Sequence, residues 1–263
     1  MIPVIGIPVV TNPYWITRCI ASIDYPVKDV VIINNNGRGE IDEELDNLCK
    51  ITHPYIENIK VCHMPANIGV AGAWNLIIKC YMMAPWWLIV NDDVAFDPGL
   101  LKELDDNMLA DEHLGMIHPH AGDYNVGAFD LFVIRDSIVQ MFGLFDENTY
   151  PAYCEDADYI MRFQPHRPIK RLLGTKHGYS HGHGRGQGDY YDDNAGSQTK
   201  KSSPELTEFF DTVNQMNFVY LNEKWGPDWR IVNPSVNPYN HEEIPISYTS
   251  YDLGFVRSKY TGF

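Results

Sequence analysis

Positive charge is scarce in this chain relative to negative charge. Its 20 Lys and Arg stand against 35 Asp and Glu, a formal net charge of -15 at pH 7. A nucleic-acid backbone is held by clustered Lys and Arg, and an anionic membrane by a basic patch, so neither partner is expected. Cysteine is sparse too: Cys19, Cys49, Cys62, Cys80 and Cys154 are odd in number, scattered and without a C-x-x-C pair. That suits reduced thiols, most of them core residues, in a cytosol-like compartment. The longest apolar run, Met82 to Val90, is too short to span a bilayer and contains Pro85. The chain opens on an apolar strand, without a basic-then-apolar leader. A soluble, cytoplasmic protein with no transmembrane segment is expected. There is no internal repeat. What remains is an ordinary globular composition, 44% hydrophobic, 21% charged and 13% aromatic, over 263 residues. That is enough for one α/β domain with a full core.

The first half alternates strand and helix. Apolar, β-branched runs at Val4 to Val10, Val30 to Ile33, Ile59 to Met64 and Trp86 to Val90 read as strands. Helical spacing appears at Tyr14 to Ile23, Ile41 to Ile51 and Val70 to Met83. Successive β–α units of this kind predict a doubly wound, mostly parallel sheet flanked by helices. In the second half, strands are expected at Gly115 to Pro119 and Gly127 to Ile134, and helices at Ser137 to Phe142, Glu155 to Phe163 and Pro204 to Trp225. Gly182 to Ser203, polar and Gly-rich, reads as a mobile loop. The expected division is a domain over 1–226, its nucleotide-binding half about 1–95 and acceptor half about 96–226, with a C-terminal tail over 227–263.

Four constellations carry chemistry. Asn91-Asp92-Asp93 follows the strand Trp86 to Val90. Adjacent carboxylates at a strand's carboxyl end suit Mg²⁺ or Mn²⁺ shared with a diphosphate, or a plain turn before the next helix. Glu155-Asp156-Ala157-Asp158 opens an amphipathic helix, where carboxylates either favour the helix dipole or accept a proton from a hydroxyl. On an extended segment His181 and His183 point the same way, as ligands of one metal would; two such His plus an Asp also describe a zinc hydrolase. Asn67-Ile68-Gly69-Val70-Ala71-Gly72-Ala73-Trp74-Asn75 lets a backbone approach a ligand or packs a helix tightly on the sheet. It is not G-x-G-x-x-G, which disfavours a nicotinamide cofactor.

The order of these motifs resembles the family 2 type of inverting glycosyltransferases with the GT-A fold, over about Val4 to Gly226. The resemblance rests on Ile5-Gly6-Ile7-Pro8-Val9-Val10-Thr11-Asn12, Cys19-Ile20-Ala21-Ser22-Ile23, Val31-Ile32-Ile33-Asn34-Asn35-Asn36-Gly37, the Asn67 to Asn75 segment and Asn91-Asp92-Asp93-Val94. It continues through Gly143-Leu144-Phe145-Asp146-Glu147, Glu155-Asp156-Ala157-Asp158 with Arg162, the histidines, and Lys224-Trp225-Gly226. Rhamnosyltransferase-like enzymes of surface-polysaccharide synthesis, some encoded by large viruses, are similar in flavour.

The resemblance implies transfer of a sugar from a nucleotide-diphosphate donor, UDP- or TDP-linked, to a hydroxyl of a glycan acceptor. It places Pro8, Val9 and Thr11 around the base and ribose. Asn34, followed by Asn35, stands where the family has a base-contacting Asp. Asn67, Gly69, Asn75, Asn91 and Asp92 would lie along the nucleotide and sugar. Asp93 with His181 or His183 would hold Mn²⁺ or Mg²⁺, and Asp156 would be the catalytic base. Arg185, Lys200 and Lys201 would close over the diphosphate. The acceptor would meet His118, His120, Asp123, Tyr124 and the aromatic tail. A nucleotidyltransferase and a non-catalytic nucleotide-sugar-binding module are the competing readings. The first would want a basic, Gly-rich signature after the first strand, where this chain has Val10-Thr11-Asn12-Pro13-Tyr14.

Overall fold

A computed structural model describes residues 1–119, 129–163, 170–185 and 197–227. The first half runs β1 (Ile2–Val9), α1 (Pro13–Ala21), β2 (Val27–Asn34), α2 (Asp42–Leu48), β3 (Ile56–His63), α3 (Gly69–Cys80) and β4 (Trp86–Val90). The second half runs β5 (Val94–Phe96), α4 (Leu100–Ala110), β6 (Leu114–His118), β7 (Leu131–Arg135), α5 (Asp136–Phe142), α6 (Glu155–Phe163), β8 (Lys170–Leu173), β9 (Tyr179–His181), β10 (Gly184–Arg185) and α7 (Pro204–Trp225). Helix starts follow local chemistry. The Asn12 side chain accepts from the Tyr14 N–H ahead of Pro13, and Ser203 Oγ accepts from the Leu206 N–H ahead of Pro204.

The seven-stranded main sheet has the order β3-β2-β1-β4-β7-β6-β8. Its strands are parallel except β7, which is antiparallel to both β4 and β6. The expected mostly parallel, doubly wound sheet is therefore present, with one reversed strand. β4 (WWLIV) is buried along its whole length, as a central strand covered on both faces must be. One face packs on α1, α2 and α4 through Ile16, Leu45 and Leu104. The other packs on α3, α5 and α6 through Trp74, Ile138 and Tyr159. Gly6 in β1 permits the close approach of α3, since a Cβ there would stand 2.5 Å from Ile77 Cγ2.

A second sheet, β10-β9-β5, was not expected. Strands of two or three residues are too short for alternation to register in a sequence. The Gly182 to Ser203 segment is also more structured at its ends than expected, beginning in β10 and ending in a 3₁₀ turn at Lys200–Ser202; 186–196 lie outside the described residues. So do His120, Asp123, Tyr124 and 228–263, nearly all of the expected tail. Two of the five cysteines, Cys19 and Cys154, are buried; Cys49 and Cys80 are exposed because they close the C-terminal ends of α2 and α3. Among the described residues, no helix is long and apolar enough to cross a membrane.

Candidate active site

The chain leaves β1 toward β2 and β3, then returns through α3 to β4 on the opposite side of β1. Loops diverge at that switch point and leave a crevice at the strands' carboxyl ends. A cavity of about 280 Å³ lies there. Pro8 from β1, Asn35 after β2, Asn67 before α3 and Asn91-Asp92-Asp93 after β4 line it, with Asp156, His181, Lys200 and Lys201 contributed from the second half. Because β7 is reversed, the residues entering it, Phe129 and Asp130, reach the same edge; the Asn91 N–H donates to the Asp130 carbonyl at 2.8 Å.

The second sheet brings the histidine to the carboxylates. β9 pairs with β5 so that His181 stands opposite Val94, and the Gly182 N–H donates to the Asp93 carbonyl at 2.8 Å. His181 then lies between two acids. Its Nδ1 is 3.1 Å from Asp130 Oδ2 and its Nε2 is 3.1 Å from Asp93 Oδ1. Asp130 is itself fixed, its Oδ1 accepting from Tyr179 Oη at 2.8 Å and from the Leu131 N–H at 3.0 Å. The Nε2 contact is an ion-pair approach, and among the described residues this buried nitrogen makes no hydrogen bond. Burial pushes the His181 imidazole down, but the two carboxylates more than reverse this and raise it to about 10. Burial and the adjacent Asp93 push Asp92 well up, against the pull of His181. The site thus concentrates negative charge around one position where a cation is favourable.

Asp156 opens α6 on the facing wall and is partly exposed to the cavity. Desolvation raises its carboxyl from 3.8 to about 6, although backbone bonds from Ala157 and Phe129 pull it back. Behind it, Asp158 anchors α6 in a fully buried ion cluster. Lys224 Nζ reaches Asp146 Oδ2 at 2.5 Å and Asp158 Oδ1 at 2.7 Å, and Arg162 Nη2 reaches Asp158 Oδ2 at 2.5 Å. Trp225 Nε1 donates to Asp158 Oδ1 and Tyr220 Oη to Asp146 Oδ2. The Gly143 to Glu147 and Lys224-Trp225-Gly226 motifs therefore meet each other behind the cavity.

The model of the family described as Glycosyl transferase family 2 matches residues 4–164, more than half of the chain. The chain belongs to glycosyltransferase family 2. A relative called galactofuranosyl glycosyltransferase, from Leishmania donovani, is 25% identical over 225 residues, covering 61% of this chain and 52% of that protein. The chain thus spans about half the length of that relative. In fold it is similar to the mannosyltransferase PcManGT from Pyrobaculum calidifontis, solved with GDP-Man and Mn²⁺ (TM-score 0.53, 14% identity, 66% of this chain and 55% of that one). It is also similar to GalNAc-T7, solved with UDP, GalNAc and Mn²⁺ (TM-score 0.62, 12% identity, 87% and 49%). The sheet and its helices are of the GT-A type.

Not every residue proposed for the glycosyltransferase site reaches the cavity. Asn34 is buried with its amide consumed internally: Nδ2 contacts Asp42 Oδ1 at 2.6 Å and His63 Nδ1 at 2.9 Å, and Oδ1 accepts from the Asn36 N–H. Its neighbour Asn35 faces the cavity instead, because strand neighbours point to opposite faces. Asn75 is a brace, exchanging bonds with the Phe145 backbone in both directions at 2.9 and 2.8 Å. Val9 is core, and Thr11 sits near Thr199, their hydroxyl oxygens 3.4 Å apart. Gly69 acts through its backbone at φ 77, where a Cβ would stand 3.0 Å from Tyr150. His183 does not point with His181. Gly182 turns the chain at φ 64, and the exposed His183 ring rests 4.9 Å from Trp15 instead of lining the cavity. His118 is buried beside Phe129; the Arg185 side chain lies outside what is described. Asp130 went unread. Its only signal is an acid directly preceding an apolar strand, the mirror image of Asp92-Asp93 following one.

Proposed function

We propose that this family 2 glycosyltransferase moves a sugar, with inversion, from a UDP- or TDP-sugar to a hydroxyl of a glycan acceptor, using a divalent cation and Asp156 as base. The observation that carries the proposal is the juxtaposition of Asp93, His181 and Asp156 around one cavity at the sheet's switch point. The donor set fits Mn²⁺ or Mg²⁺: a buried imidazole nitrogen, without a hydrogen bond among the described residues, faces a carboxylate oxygen. Among the described residues no third His, Cys, Asp or Glu joins them in a ligand group. Asp93 and His181 would hold the ion, with phosphate oxygens and water completing it. When bound, the ion supplies charge compensation for the departing diphosphate.

The chain's own residues do the rest. Asn35 Nδ2 donates to the Gly69 carbonyl at 3.2 Å, and among the described residues its buried Oδ1 has no partner. Asn35 lines the cavity, and an amide oxygen can accept from the N3–H of uracil or thymine. Lys200 and Lys201 line the cavity, in support of a role at the diphosphate; the Lys200 ammonium is paired with Asp211 at 2.5 Å and would have to exchange that partner for a phosphate. Asp156 takes the proton of the acceptor hydroxyl as that oxygen bonds to the anomeric carbon. The bond from that carbon to the diphosphate breaks on the opposite face, so configuration inverts.

Two measurements test this. Thermal melts with UDP, TDP, GDP, CDP and ADP, each with and without Mn²⁺, should show stabilisation by UDP or TDP that requires Mn²⁺. A shift with zinc alone and none with any nucleotide defeats the proposal; a shift with GDP only defeats the base assignment. The pH profile of kcat/KM should have an acidic limb near pH 6, because Asp156 must be unprotonated to act and burial holds its carboxyl at about 6. A profile flat down to pH 4.5 would contradict its role as base.

A further inference from the structure

The segment that leads into Asp156 is held in an unfavourable shape. Tyr153 and Cys154, neither of them glycine, have φ of 72 and 75. A residue bearing a Cβ keeps such a conformation only where surrounding contacts impose it. Pro151, Ala152, Tyr153, Glu155 and Asp156 all line the cavity, so the shape of this segment is the shape of one wall. On the donor side it is tied to α3, whose Val70 N–H donates to the Pro151 carbonyl at 2.8 Å. At its end the Cys154 carbonyl accepts from the Asp158 N–H at 2.9 Å and starts α6.

One side chain meets this segment from behind. Asn217 of α7 is fully buried, and its Nδ2 stands 2.9 Å from each of the Thr149, Ala152 and Tyr153 carbonyl oxygens. Two N–H groups are shared among three carbonyls, an arrangement that requires the chain to fold back around the amide. Two of those carbonyls precede the left-handed pair, and the third belongs to its first residue, Tyr153. Asn217 itself does not line the cavity.

Resting on the reading of Asp156 as base, we infer that Asn217 is a positioning residue: its amide holds Tyr153 and Cys154 in the left-handed conformation that presents Asp156 to the acceptor hydroxyl. Alanine at 217 removes the donor and lets the segment relax toward ordinary backbone angles. The donor side, built on β1, β2, α3 and β4, is not touched by the change.

The test is Asn217→Ala in the full chain, with Asp156→Asn alongside. Turnover in Asn217→Ala should fall about 10- to 100-fold, the loss in scale with a base displaced by about an ångström. UDP affinity in the presence of Mn²⁺ should stay within about twofold of wild type. Amide exchange should accelerate over 150–158 and not over β1 to β4. Asn217→Ser, which keeps one donor and is the milder change if the alanine variant does not fold, should fall between the two. Unchanged turnover in a folded variant overturns the inference, as does a parallel loss of UDP binding and turnover, which marks a general structural role. Turnover retained in Asp156→Asn defeats the base reading itself. Turnover lost there but kept in Asn217→Ala defeats only the positioning role.

Discussion

Asp156→Asn should lower kcat by about 100- to 10,000-fold while leaving nucleotide binding intact. The substitution keeps the shape of the side chain and the oxygen that accepts the Ala157 N–H at 2.7 Å, so the wall of the cavity is preserved. On the proposed reading it removes the lone pair that takes the acceptor's proton. The same variant should be more stable than wild type. Burial raises the Asp156 carboxyl from 3.8 to about 6 in the folded chain, so the native state holds that proton more tightly than the unfolded state does. The charged form therefore costs stability once the pH exceeds the unfolded value, and the cost is complete above the folded value. Discounted for its exposure to the cavity, the gain on removing the charge is about 1–2 kcal/mol. It should be present above about pH 6 and gone below pH 4. Activity and stability moving in opposite directions is the signature of a carboxylate kept for chemistry. An inactive variant that melts lower than wild type would instead mark Asp156 as a structural residue.

Lys224→Met should be the most damaging single change to stability, about 3–5 kcal/mol. Lys224 has no exposed surface and touches both Asp146 and Asp158, themselves fully buried. With Arg162, the two cations balance the two carboxylates. Methionine fills a similar volume but leaves one buried negative charge uncompensated, and α6 and α7 lose one of the bonds that join them, the Trp225–Asp158 bond remaining. For a domain of this size the melting temperature should drop by about 6–20 °C. Burial pushes the Asp158 carboxyl up, but Arg162 and Lys224 overcome this and hold it below its ordinary 3.8. Stability from this pairing is thus present above pH 3.8 and lost as the pH falls through the lower, folded value. The gap between variant and wild type should narrow below that point. Lys102→Met provides the contrast: its pair with Asp106 is exposed on both sides, and the expected change is within about 0.5 kcal/mol. Equal melting temperatures for Lys224→Met and wild type would show that the cluster contributes nothing to holding α6.

Much of the fold is legible in the residues. β4 is readable because a strand covered on both faces must be apolar throughout, and α7 because Ser203-Pro204 starts it and Trp225-Gly226 ends it. Helix ends slip by a residue or more: α3 stops at Cys80 although apolar residues continue to Met83, since Met82 and Met83 are exposed in the turn before β4. β9 is not legible, because three residues hold too little pattern, yet β9 delivers His181.

The site divides along the same physical line. Chemical types and their order along the chain belong to the sequence: Asn91-Asp92-Asp93 after an apolar strand, an acid at the start of α6, a histidine far downstream, and with them membership of the family. Which of two adjacent residues faces the cavity is set by strand pleat and hairpin geometry. Asn35 is there and Asn34 is not, and His181 lies between Asp93 and Asp130 while His183 turns to Trp15. Asp130 joins only because β7 runs backward, and Asn217 meets the segment before Asp156 only because α7 packs against it. Local composition specifies what each segment can contribute. Contacts between segments distant in sequence depend on packing directions that no single segment contains, and only the tertiary structure decides them.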